Sequence, residues 1–248
     1  MISFALYSIK GGVGKTATAV NLAYLAAAQE GPCLLVDLDP QGSTSYYYRI
    51  QPGKKINSKS LAKGKSNIPH FIRESDFEDL FVLPSHISYR KLDIHFDRIK
   101  RSKKRIRELI ADIGRDYQYV IIDAPPNITL LSENIFRGVD FVVVPVVPTY
   151  LSLRTLEQLQ NFFNKQHISL KKLVAFFSMV DRRKKLHRAV VEGQDETENA
   201  FLPIWIPFSS AVEKMGATRQ PLLHYDNQSK AAQAYHQLWD HLKHRFVT

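Results

Sequence analysis

Residues 10–16 read Lys10-Gly11-Gly12-Val13-Gly14-Lys15-Thr16, set between an apolar run, Ile2 to Ile9, and an alanine-rich stretch, Ala17 to Ala28, that reads as a helix. Strand, glycine-rich loop and helix, in that order, is the context a phosphate-binding loop needs. Glycines let backbone N–H groups curve around phosphate oxygens, and the helix start adds its positive dipole end. Lys15 then reaches the terminal phosphates as a point charge, and the Thr16 hydroxyl is a ligand for Mg²⁺. A glycine turn that holds no ligand is the competing reading, and the order of elements and the two flanking lysines speak against it.

Working outward, further apolar runs bounded by breakers occur at Cys33–Leu38, Leu80–Leu83, Tyr119–Ile122, Phe141–Val147 and Leu173–Val180. Several are nearly continuous, as expected of strands buried on both faces of a parallel sheet. Helical spacing places Ile99, Ile106, Leu109, Ile110 and Ile113 on one face of 99–113, and Leu153, Leu156, Leu159 and Phe163 on one face of 151–163. The expected fold is therefore α/β: three layers, a doubly wound and mostly parallel sheet with helices on both faces, and ligands at the carboxyl ends of the strands. With no repeat or linker, 1–248 reads as one domain.

Two strand ends carry acids. In Asp37-Leu38-Asp39-Pro40-Gln41-Gly42 the carboxylates fall on the same side of an extended strand end, beside the loop. There they can hold a metal-bound water or orient an attacking one; a pair that merely caps a turn is the plainer alternative. Tyr119-Val120-Ile121-Ile122-Asp123 is a β-favouring run ending in an acid, suited to reach a metal directly or through water.

The usual loop pattern has glycine where this chain has Ile9, and a second lysine, Lys10, stands before Gly11-Gly12. This resembles the deviant Walker A motif, K-G-G-x-G-K-[ST], of the ParA/MinD group of ATPases. Asp37-x-Asp39-Pro40-Gln41, Asp123-Ala124-Pro125-Pro126, Asn21-Leu22-Ala23, Leu83-Pro84-Ser85, Val146–Leu156, Ile206-Pro207, Gln220-Pro221-Leu222-Leu223 and Ser229–Tyr235 follow the same family's order, so the likeness covers nearly the whole chain, with about 45–80 its least similar part. The resemblance implies ATP and Mg²⁺ as cofactors, held along 10–17 (Lys10, Gly11, Gly12, Val13, Gly14, Lys15, Thr16 and Ala17) and by Asp123, with Asn127 at phosphate or metal-bound water and adenine near Pro207. It implies Asp39 as the residue needed for hydrolysis and Thr16, Asp37, Asp39 and Asp123 around the metal. It implies, too, a homodimer in the ATP state with Lys10 reaching a phosphate across the two-fold axis, a gift of charge in trans that is worth roughly 10³–10⁵ in rate where it occurs. A solvent-facing lysine with no catalytic role is the alternative. Where many relatives have arginine after the late Ile-Pro, this chain has Phe208, and any role of that arginine is in doubt here.

Composition bounds the partners. Net charge is +10, which suits an anionic partner, nucleic acid or an acidic membrane surface. Basic residues concentrate at Lys54, Lys55, Lys59, Lys63 and Lys65, along Arg98 to Arg107 (Arg101 and Lys104 among them), and at Arg182, Arg183, Lys184, Lys185 and Arg188. A solvated face explains any one of these; together they point to non-specific, salt-dependent contact with DNA phosphates, with 182–188 the first choice. No base-reading module is visible. The family likeness implies a partner protein that stimulates hydrolysis, a cargo that is moved or spaced, and a place in the cytoplasm on the nucleoid.

Rivals make separate demands. A MinD-like membrane ATPase needs a lipid-inserting terminal helix; Tyr235, Leu238, Trp239, Leu242 and Phe246 have the spacing for one, although such a stripe more often packs on its own core, and no stable membrane insertion is expected. A cluster-bearing electron carrier needs two cysteines per subunit, and Cys33 is alone and reads as a small buried residue. A non-catalytic adaptor requires loss of Lys10 or Asp39, and both are present. The histidines, His187 included, show no metal spacing and read as mostly surface residues.

Overall fold

The computed structural model describes residues 1–50, 56–64, 68–99, 102–193 and 201–247. Eight strands form one sheet: β1 Ile2–Leu6, β2 Cys33–Asp37, β3 Arg73–Glu74, β4 Leu80–Leu83, β5 Tyr119–Asp123, β6 Phe141–Val146, β7 Leu173–Val180 and β8 Phe201–Pro207. Their spatial order is β3-β4-β2-β5-β1-β6-β7-β8, and only the β3–β4 pair is antiparallel. The chain crosses from β1 past β5 to β2, and from β5 past β1 to β6, so successive crossovers run in opposite directions beside β1. A crevice opens at such a reversal, outside the strands' carboxyl ends. The glycine loop occupies it.

The longer helices are α1 Lys15–Glu30, α2 Ser43–Tyr47, α3 Ser58–Lys63, α4 Leu92–Asp97, α5 Arg105–Ile113, α6 Leu130–Gly138, α7 Tyr150–Lys165, α8 Lys185–Glu192, α9 Ser210–Thr218, α10 Leu222–Tyr225 and α11 Lys230–Val247. Alternation along the strands splits the core in two. Ala5, Leu34, Val36, Val120, Ile122 and Val144 meet α4–α7, whereas Phe4, Leu6, Leu35, Ile121 and Phe176 meet α1 and α11. That is why the strand sequences are continuously apolar: both side-chain sets are buried.

Several expectations need correction. The runs expected to be strands through Ile9, Leu38 and Val147 end at Leu6, Asp37 and Val146, because the last residues turn into the ligand-side loops. The helix expected over 99–113 begins only at Arg105, after a short 3₁₀ turn at Ser102–Lys104, and a separate helix, α4, precedes it. Lys54, Lys55, Lys65 and Arg101 lie outside the described residues. Strands β3 and β8 were not anticipated. The first is two residues long, and the second carries Pro203 and Pro207, which suit only an edge position, the one it occupies.

The apolar stripe of α11 is buried. Leu238, Trp239 and Leu242 are fully enclosed, Trp239 meets Tyr119 at 5.1 Å, and Phe246 meets Phe141 at 4.7 Å. Among the described residues no helix is long and apolar enough to cross a membrane. Trp239→Ala is expected to destabilise the protein by about 3–5 kcal/mol, the usual cost of emptying a large aromatic site. Urea denaturation measures this, and a loss under about 1 kcal/mol would show that α11 does not depend on that contact.

Candidate nucleotide site

The loop between β1 and α1 turns through two left-handed glycines, Gly12 (φ 71°) and Gly14 (φ 89°). A side chain at Gly14 would also press on the Ser178 hydroxyl at 3.1 Å, so both backbone and space require glycine there. Gly14 caps α1 without a side-chain acceptor, which leaves the first-turn N–H groups turned to the cleft. A cavity of about 340 Å³ opens beside this turn, lined by Gly12, Gly14, Lys15, Thr16 and Ala17 on one side and by Pro207 and Phe208 on another. Tyr47, Ser178, Met179, Glu213 and Tyr235 are also in its wall. Its size falls in the range of small-molecule sites.

Lys15 is 8% exposed. Burial pulls its pKa down, and the carboxylates of Asp123 and Asp39 oppose that shift. Asp123 is fully buried at the end of β5, in register with Leu6 of β1 and Asp37 of β2, so three strand ends meet there. Its Oδ2 accepts hydrogen bonds from the Thr16 and Thr44 hydroxyls, each at 2.8 Å. Its Oδ1 is buried and has no hydrogen-bond partner among the described residues. An orphaned carboxylate oxygen beside a P-loop threonine is what a metal-bound water would satisfy. Burial raises the Asp123 pKa from 3.8 to about 6, against the lowering effect of the two threonines and Lys15.

Asp37 is more deeply committed. It has no exposure, its Oδ2 accepts from the Ser45 N–H and hydroxyl (3.2 and 3.1 Å), and its Oδ1 accepts from the Asp39 N–H (3.2 Å). Burial first, then the charge of Asp123, hold its pKa well above the carboxylate range. Asp39 is half-buried. Its Oδ1 accepts from the Gln41 N–H at 3.0 Å, fixing the turn that leads to Gly42, and its carbonyl accepts from the Ser85 hydroxyl. Among the described residues no three His, Cys, Asp or Glu side chains converge into a cage. That fits Mg²⁺, which keeps waters and takes phosphate oxygens alongside one or two protein ligands.

The remaining expected residues divide. Lys10 is exposed and shares a narrow recess with Val13, Val146 and Leu156, on the α7 side of the loop and away from the cavity that Lys15 lines. Val13 itself is buried, so only its backbone is available. Gly11 is exposed and Asn127 is exposed, and neither lines the 340 Å³ cavity. His187, expected at the surface, is buried; its Nδ1 accepts from the Asp181 N–H at 3.0 Å, and burial lowers its pKa. Arg182, Arg183, Lys184, Lys185 and Arg188 are exposed just beyond the carboxyl end of β7, with Arg183 held by a two-point pair to Asp181 (2.9 Å each).

Sequence reading missed the hydroxyls of Thr44, Ser45 and Ser178, and the wall formed by Tyr47 and Met179. The available signal was Gly42-Ser43-Thr44-Ser45, three hydroxyls one turn after the paired acids. A clasp was also missed. Arg219 stacks over the Tyr46 ring at 4.6 Å and donates to the Tyr46 carbonyl at 3.1 Å, Tyr46 donates to the Gly216 carbonyl at 3.0 Å, and Arg49 donates to the Thr218 carbonyl at 2.8 Å. It ties α2 to the end of α9.

Residues 1–176 match a protein-family model described as an AAA domain (AAA_31), well over half of the chain. The chain belongs to this family, among homologues of ParA and Soj. It is 29% identical over 239 residues to the chromosome-partitioning ATPase Soj of Treponema pallidum, covering 92% of each chain. It is 28% identical over 233 residues to the chromosome partitioning protein ParA of Myxococcus xanthus, covering 91% of this chain and 82% of that one. A plasmid partition protein of Borrelia burgdorferi bound to AMPPNP superposes with a TM-score of 0.86 at 20% identity, covering 98% of this chain and 99% of that one. The last shows the common fold.

The buried acids give a pH prediction for the nucleotide- and magnesium-free protein. A carboxyl whose folded pKa is raised contributes stability that is present below its unfolded pKa and lost as pH rises through the folded value. Asp123→Asn keeps an acceptor for the two threonines and removes the ionisation. Relative to wild type it is expected to gain stability as pH rises from about 4 to about 7, by up to about 3 kcal/mol for a shift of this size. Denaturation midpoints across that range test it, and a pH-independent difference would overturn the burial argument.

Proposed function

We propose that this protein is a Mg²⁺-dependent ATPase of the ParA type, a single ATPase domain over 1–248, which dimerises around ATP, binds DNA without reading its sequence and positions or segregates a cargo. The observation that carries this reading is Lys15: a buried ammonium under a left-handed glycine turn, facing Asp123 and opening on a cavity of nucleotide size. Such a lysine, kept charged among partners with exposed N–H groups around it, fits a chain of phosphates.

Residue roles follow from placement. The 10–17 backbone and Lys15 would hold the phosphates, and Thr16 with Asp123 would hold the metal, Asp123 through its unpartnered oxygen. Asp37 sits behind them and braces the segment that carries Asp39. Bound Mg²⁺ would neutralise charge that builds on the phosphates. Half-buried Asp39 would orient water, and the base would lie near Pro207, with Phe208 beside it in the cavity wall. Lys10, outside the cavity and exposed on the loop's outer side, would serve the nucleotide of a second copy.

The relatives' names support chromosome or plasmid partition as the setting; cytoplasmic action on the nucleoid and a hydrolysis-stimulating partner protein belong to the same reading. DNA contact is assigned first to Arg182, Arg183, Lys184, Lys185 and Arg188, and second to the Arg101–Lys104 region. A MinD-like membrane mode is disfavoured, because the α11 face it would insert is already spent on the core.

Lys10→Ala is expected to bind ATP with near-normal affinity but to remain monomeric with AMPPNP and Mg²⁺, as read by light scattering after size exclusion; a normal dimer in that variant would refute the role in trans. Asp39→Ala is expected to retain nucleotide and lose hydrolysis by roughly 10²-fold or more, the scale of a positioned acid or base. Steady-state phosphate release with and without duplex DNA measures it, and unchanged turnover would remove Asp39 from the mechanism.

A further inference from the structure

A second cavity, about 320 Å³, lies at the other edge of the sheet. Lys103 and Lys104 enter it from the 3₁₀ turn before α5, Arg107 from α5, Arg137 from the end of α6, and Lys172 from the residue before β7. Arg137 and Lys172 precede the amino ends of parallel strands β6 and β7, whereas the nucleotide cavity lies beyond the carboxyl ends. The Arg182–Arg188 cluster follows the far end of β7, eight residues and roughly 26 Å away at about 3.3 Å per residue.

What distinguishes this cavity from an ordinary solvated face is how its cations are held. Arg107 donates to the Arg137 carbonyl at 3.0 Å, Arg137 to the Gln166 carbonyl at 2.8 Å, and Lys172 to the Val139 carbonyl at 2.6 Å. Neutral carbonyls fix these groups in place without cancelling their charge. One carboxylate, Glu133, is shared by Lys103 and Arg137, each at 2.8 Å. Asp140, the other nearby acid, is committed to the Ser3 N–H and hydroxyl (2.8 and 2.7 Å). No acid is among the described residues that line the cavity. Burial first, then the like charge of Arg107, lower the Lys172 pKa; Asp140 opposes the shift and Arg137 adds to it.

We propose that this cavity is an anion site for closely spaced phosphates, separate from the nucleotide site, and that it takes either a nucleic-acid backbone segment or a free oligophosphate. Five concave cations that share one carboxylate, Glu133, among the described residues keep an excess of positive charge, which suits phosphates at short spacing, where several can be engaged at once. The proposal stands apart from the nucleotide reading, since none of its residues touches the P-loop cavity.

The test is lysine-acylation footprinting of the full chain, with ADP and Mg²⁺ saturating any P-loop binding. Tripolyphosphate is one probe and a 24-base-pair duplex the other. Acylation of Lys103, Lys104 and Lys172 is expected to slow at least severalfold, with Lys214 and Lys230 unchanged. Protection by the duplex assigns the backbone as the source, protection by tripolyphosphate alone assigns a free oligophosphate, and protection by neither overturns the site. Lys104 is exposed and makes no ion pair among the described residues, so Lys104→Glu should fold normally and weaken the protecting probe on the order of tenfold, the scale of one charge-assisted contact. Unweakened binding in that variant, or loss spread equally over Lys214 and Lys230, would also overturn it.

Discussion

Three ionisable groups are packed where water is scarce: Asp37 and Asp123 at neighbouring strand ends, and Lys15 at the first residue of α1. Burying such groups is costly unless each is paired or hydrogen-bonded. Nearly every polar feature around them answers that cost. Thr16 and Thr44 cover one oxygen of Asp123, Ser45 covers one oxygen of Asp37, and the Asp39 N–H covers the other. The exception is Asp123 Oδ1. Of the four oxygens of these two acids it is the one with no partner among the described residues, which suits a ligand from outside the chain.

The cost is sustained by what lies beneath it. β5, β1 and β6 are apolar on both faces, so their ends are held rigidly from two sides, by α4–α7 on one and by α1 and α11 on the other. Dense packing on both faces leaves the strand ends no freedom to splay apart and admit water. The acids are thus fixed within a hydrogen bond of their hydroxyl partners, and α1 starts at a fixed point against them. Rigid strand ends and a turn that only glycine can make give the site its geometry. Side chains on loops then supply the chemistry.

The sheet and the loop were legible because they repeat a signal. Continuous apolar runs such as Tyr119–Ile122 can be satisfied only by burial on two faces, and the K-G-G-x-G-K-T string couples a turn to a helix start. What escaped was set by tertiary context. β8 carries prolines that look hostile to a strand until an edge position is known. The basic 99–113 pattern promised one helix, yet the chain breaks it into a turn and a shorter helix so that Lys103 and Arg137 can share Glu133. Thr44, Ser45 and Ser178 could not be assigned, since a hydroxyl near a strand end gains meaning only from the carboxylate or glycine it faces. His187 looked like a surface residue because nothing local announces that the Asp181 N–H needs an acceptor.

The clasp between Arg219 and Tyr46 links these levels. Helix α2 supplies Thr44 and Ser45 to the buried acids, and its neighbour Tyr47 lines the cavity; α9 forms the opposite wall near Phe208. Arg219 sits in a left-handed conformation at the end of α9 (φ 53°), an unfavourable backbone for arginine that its cation–π contact and its bond to the Tyr46 carbonyl offset. Any event that draws Thr44 away from Asp123 must therefore either pull α9 along or break the clasp. One short helix thus carries both the hydroxyls that satisfy the acids and part of the cavity wall, so its seating sets both.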